Sequence, residues 1–169
     1  RTRIDGFVWD RKDPNLLRSV LKESHLGISA TSAFRNILRV KDLPEGFVAI
    51  DDSRPEALPR DPKLARIILE GGLLKIQGAS VDYDYGLGQD ENVFGCLGES
   101  FLLALDRGKR LKPTLGAVDL ENWTKMLEVA RANGVREGDL KSGGLLVSDE
   151  EVKYAFEKRG LLPLPRAAE

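Results

Sequence analysis

In 169 residues the chain has one histidine, His25, and one cysteine, Cys96. A structural zinc site takes about four Cys, His or acidic ligands, and a catalytic one usually takes histidine, so neither fits within one chain. Any Ser-His-Asp or Cys-His arrangement would have to use His25 itself. A lone cysteine forms no internal disulfide, and nothing else reads as a secreted disulfide scaffold. Also missing are apolar runs long enough to span a bilayer, a signal-peptide pattern, internal repeats and low-complexity blocks. A net charge of −1 sets up no global field, so nucleic acid is not an indicated partner, although local patches stay open. The expected setting is soluble and cytoplasmic.

Basic residues are absent from one long stretch. Between Lys75 and Arg107 there are none, while the same stretch holds Asp82, Asp84, Asp90, Glu91, Glu99 and Asp106. Four of the next six residues are then basic: Arg107, Lys109, Arg110 and Lys112. Elsewhere the signs alternate, so this acidic stretch (76–106) and its basic neighbour (107–112) are the one strong departure from an even charge pattern. Clustered carboxylates repel one another and call for solvent, basic neighbours or a divalent cation.

What is present reads as a mixed fold. Asp13-Pro14 caps a helix carrying Leu16, Leu17, Val20 and Leu21, with Gly27 as its stop. A second helix is expected from Ser29 or Thr31, and a third after Asp61-Pro62, with Leu64, Ile67 and Ile68 inward. A fourth, capped by Asp119, carries Leu120, Trp123, Leu127 and Ala130. A fifth opens on the Ser148/Glu151 capping box. Glu99–Leu105 is ambiguous and looks helical. Strands are expected at Gly6–Trp9, Phe47–Ile50, Leu73–Gln77, Ala79–Tyr85, Leu115–Val118 and Leu145–Val147, with Gly78 turning a hairpin. Without a strict βαβ rhythm, the expected class is α+β, a mixed sheet of about four to six short strands with about five helices. One compact domain is expected over residues 1–161, with an extended tail over 162–169.

Asp82-Tyr83-Asp84 is the sharpest local pattern. On a strand the two carboxylates would share a face about 6–7 Å apart, a spacing that can hold Mg²⁺ against a phosphate. The pair resembles the D-x-D of nucleotidyltransferases, but no Gly-Ser turn and helix precede it; a solvated acidic edge is the plainer reading. Counted as a calcium loop from Asp82, the run places Leu87 where glycine is needed and Val93 where glutamate belongs. That leaves a noncanonical Mg²⁺ or Ca²⁺ site from Asp82, Asp84, Asp90 and Glu91. Asp51 and Asp52, after Phe47–Ile50, are candidate further ligands or simply turn residues.

Val93–Ser100, with Ile67–Gly72 upstream, resembles the strand–Cys–helix elbow of class I glutamine amidotransferases, which implies a nucleophilic Cys96. Phe94 replaces the expected glycine, Glu99-Ser100 is atypical, and no His-x-Glu follows, so the family is not assigned. Lys141-Ser142-Gly143-Gly144 is too short for a phosphate loop. Arg107, Lys109, Arg110 and Lys112 are candidates to touch a phosphate or a partner; the alternative is that they complement a helix C-terminus. Two functions are compatible with this inventory. The first is a non-enzymatic binding or assembly module, with self-association or a protein partner docked through the acidic and basic segments. The second is a divalent-metal-dependent enzyme acting on phosphate esters or nucleotides through Asp82/Asp84.

Overall fold

A computed structural model describes residues 14–24, 26–32, 38–61, 65–79, 82, 86–87 and 91–160. Among them the fold is α+β, with four α-helices and eight short strands in three small sheets. No described helix is long and apolar enough to cross a membrane. The chain divides into two compact units, Arg1–Leu69 with Ser148–Glu169, and Glu70–Val147.

The first unit contains α1 (Pro14–Glu23), β1 (Leu26–Ser29), β2 (Val48–Asp51), β3 (Ile67–Glu70) and α4 (Asp149–Lys158). The sheet order is β1-β2-β3. β1 runs parallel to β2, with Leu26 opposite Val48 and Ser29 opposite Asp51. Leu43, Phe47, Ala49, Leu58 and Ile68 form the core. Gly27, expected to stop a helix, lies instead within β1. A Cβ there would come within 2.9 Å of the Phe47 ring, so packing explains the glycine. The helix expected through Ile67 and Ile68 gives way to a strand at those residues, and Ser29, one of the two expected starts of the second helix, ends β1; residues 33–37, the body of the helix expected from Thr31, lie outside the described residues. Strand pairing and burial outweigh helical spacing when only three or four apolar residues define it. α4 starts on the expected capping box, with the Glu151 amide donating to Ser148 Oγ and the Ser148 amide to Glu151 Oε2. Its following residue, Arg159, donates through Nη2 to the carbonyls of Leu21 and Lys22, closing the end of α1.

The second unit contains β4 (Leu73–Ile76), β5 (Asn92–Phe94), α2 (Gly95–Asp106), α3 (Leu120–Ala132), β6 (Val135–Glu137) and the β7 (Lys141–Ser142)–β8 (Leu145–Leu146) hairpin. β4 is central and antiparallel to both β5 and β6. Ile76, Val93, Leu102, Leu111, Val129, Ala130 and Val135 make the core. Lys141-Ser142-Gly143-Gly144 is the hairpin: Gly143 and Gly144 both hold positive φ, 63° and 76°, which a two-residue turn between twisted strands demands. Leu115–Val118, expected as a strand, has none of that structure and lies exposed. Gly6–Trp9 and most of Ala79–Tyr85 lie outside the described residues.

Candidate functional site

The acids singled out in the sequence are dispersed in role. Asp82 is exposed and sits in a bend rather than a strand, so the alternation argument that placed it beside Asp84 no longer applies. Asp84 and Asp90 lie outside the described residues, as does His25. Glu91 Oε1 accepts the Gly78 amide at 3.0 Å, tying the turn after β4. In the other unit Asp51 is buried, and its carboxylate is filled by amides: Ser53 at 3.1 Å on Oδ1, Ala57 at 2.9 Å and Leu58 at 2.8 Å on Oδ2. Burial pushes this carboxyl up, but the bonds from Leu58, Ser53 and Ala57 outweigh it and hold its pKa below the ordinary value. Asp52 is exposed, and its amide donates to the Ser29 carbonyl. Among the described residues no three His, Cys, Asp or Glu gather in a group that could hold a metal ion.

The basic cluster has a definite geometry. α2 ends at Asp106, and Arg107 follows with φ 51°, in the left-handed region, its amide bonded back to the Leu103 and Ala104 carbonyls. Gly108 continues at positive φ, turning the chain sharply away from the helix axis. Asp106 then organises the loop beyond the turn. Its buried Oδ2 accepts the amides of Arg110 and Leu111, the latter at 2.8 Å, and Oδ1 accepts Arg110 Nε at 3.1 Å. The Arg110 and Leu111 amides hold this carboxyl below the ordinary carboxylate range, with the Arg110 guanidinium adding to them. Leu111 drops into the core as the anchor of the loop.

Two further contacts pin the chain as it runs toward α3. Asn122, buried in the first turn of α3, accepts the Lys112 amide at 2.9 Å and donates Nδ2 to the Lys112 carbonyl at 2.8 Å. Glu99 on α2 accepts the Thr114 amide at 2.6 Å. Asp119 caps α3 by accepting the amides of Glu121 and Asn122. Thus the last two acids of the acidic stretch, Glu99 and Asp106, serve to hold the basic connection in shape. Asn122 takes the inward position in the first turn, and Leu120 and Trp123, two of the apolar residues that defined this helix in the sequence, are exposed.

Arg107, Lys109 and Arg110 line an open depression of about 560 Å³ with Leu105, Asp106, Val129 and Asn133. Arg110 is committed to Asp106. Arg107, Lys109 and Lys112 are exposed, and among the described residues no acid pairs with them. The C-terminal ends of α2 and α3 both border this depression, each carrying roughly half a negative charge. Together with Asp106 they offset about two of the three cations, leaving about one net charge. A small anion therefore meets a weak field there.

Cys96 lies exposed in the first turn of α2, directly after β5. The strand–Cys–helix sequence is thus real, but β5 is an antiparallel strand of three residues, and the only histidine of the chain lies outside the described residues. No protein-family model matches the chain, and comparison with curated proteins finds no match. Sequence reasoning missed the organising roles of Asp106 and Asn122; the available signal was an acid immediately before a four-cation run and an Asn three residues after the Asp119 cap.

Proposed function

We propose that the chain is a non-enzymatic binding module, and that the basic connection from Arg107 to Lys112 is its docking surface for an acidic polypeptide. The observation that carries this reading is a loop whose backbone is fixed from within while three of its four charges, Arg107, Lys109 and Lys112, are left unengaged among the described residues. A loop already ordered in the free protein spares a ligand the ordering cost of about 1–2 kcal/mol per residue. A cytoplasmic setting belongs to the same proposal, since one exposed thiol suits a reducing compartment. The alternative of a Mg²⁺- or Ca²⁺-dependent enzyme gains no support from the described residues: Asp51 is saturated by amides and Asp82 stands in a bend.

The test is a titration of the ¹⁵N-labelled chain with a decaglutamate peptide at two salt concentrations. Amide shifts centred on residues 107–112, weakened by salt and abolished by Arg107→Glu/Lys109→Glu, support the module. Shifts scattered over the surface, or none, contradict it.

A further inference from the structure

Charge does not account for the surface beside the basic loop. Leu115, Val118, Leu120 and Trp123 are 83, 69, 73 and 55% exposed, four large apolar side chains within nine residues. Contiguous apolar exposure of this kind marks interaction sites, whereas single exposed apolar residues are ordinary. Here the backbone is held: Asn122 clamps Lys112, Glu99 holds Thr114, and Asp119 caps the helix that presents Leu120 and Trp123. Leu115, Val118 and Trp123, with Lys112, Pro113 and the acid Asp119, surround a recess of about 180 Å³.

We infer that this recess seats an apolar side chain of a partner polypeptide whose flanking residues are acidic. The inference rests on the docking reading above and names the second half of the surface. Three observations favour this occupant. The recess falls below the roughly 300–1,000 Å³ of small-molecule sites and suits the single buried anchor on which protein interfaces concentrate their affinity. Lys112 forms part of its wall and the chain before it carries Lys109 and Arg107, so a bound segment that leaves over Lys112, on the side away from Asp119, runs toward basic residues. A lipid surface fits less well, because Asp119 stands between Val118 and Leu120 and Glu121 follows. Inserting those apolar residues into hydrocarbon would carry carboxylates with them, while a protein interface leaves such groups in its wet rim.

The experiment selects random twelve-residue peptides displayed on phage against the full chain, then measures synthetic copies of the selected peptides by calorimetry. The expected peptides share a large apolar residue flanked by Asp or Glu. Their affinity falls at least tenfold in Trp123→Ser and in Leu115→Ser, is largely kept in Trp123→Phe, and all three variants retain the wild-type circular dichroism spectrum. Decaglutamate binding to the wild-type chain is measured alongside. Peptides without acids, or peptides indifferent to Trp123→Ser, overturn the inference while decaglutamate binding leaves the docking reading standing; loss of decaglutamate binding to wild type sinks that reading separately. A dimer by sedimentation velocity that Leu115→Ser dissolves assigns the recess to a second copy instead. Trp123-dependent binding to anionic vesicles assigns it to lipid.

Discussion

Asp51 and Asp106 use the same device to opposite ends. Each is a buried carboxylate at the end of a regular element, β2 or α2, and each accepts backbone amides of the segment after it. Around Asp51 the amides belong to Ser53, Ala57 and Leu58, all buried, and the loop folds inward to complete a core. Around Asp106 they belong to Arg110 and Leu111, of which only Leu111 turns inward. The rest of that loop faces solvent and carries charge. A carboxylate filled by amides is thus a means of fixing a loop, and the residues between its anchor points decide whether the loop serves stability or display.

The comparison breaks if the two carboxylates behave alike on mutation. Asp51→Ala strips partners from three buried amides and is expected to cost about 3 kcal/mol or more, since each unsatisfied buried donor costs roughly 1–3 kcal/mol. Urea unfolding measures it, and a loss under about 1 kcal/mol would mean the loop re-forms its bonds elsewhere. Acid sharpens the same contrast. Asp51 and Asp106 have folded pKa values lowered below an ordinary value of 3.8. The stability they contribute is therefore fully present above that value and is lost as pH falls through the lower folded values. Circular dichroism against pH should show unfolding only below about pH 4, and Asp51→Asn should flatten that dependence. A smaller effect is expected at the end of the displayed segment. Asp119→Ala removes the cap of α3 and should cost about 1 kcal/mol, read from the melting temperature. Least costly is Lys109→Glu, expected to change stability by no more than about 0.5 kcal/mol while weakening decaglutamate binding. Loss of binding with unchanged stability would mark display rather than support.

How far these regions could be read from the sequence depends on how local their determinants are. The caps at Asp119 and Ser148 were legible because each satisfies helix amides within three residues. β4 was legible from its own apolar run. β1, β3 and β6, of three or four residues each, depend on partners far along the chain, and β3 falls where helical spacing looked better. The basic cluster was visible as composition. Its geometry was not, because Asn122 and Glu99 reach the connection from two separate helices. The same contact bears on α3: with Asn122 drawn inward, Leu120 and Trp123, two of the apolar residues that defined this helix in the sequence, are exposed.

Asp106→Asn is the most direct test of the account. It removes a negative charge from the depression lined by Arg107, Lys109 and Arg110, so charge counting alone makes an acidic ligand bind more tightly. Pre-organisation by the carboxylate makes the opposite prediction, because Asn offers one weaker acceptor to the Arg110 and Leu111 amides. The account predicts faster hydrogen exchange at those two amides and weaker decaglutamate binding, with the fold retained. Tighter binding with unchanged exchange would contradict it.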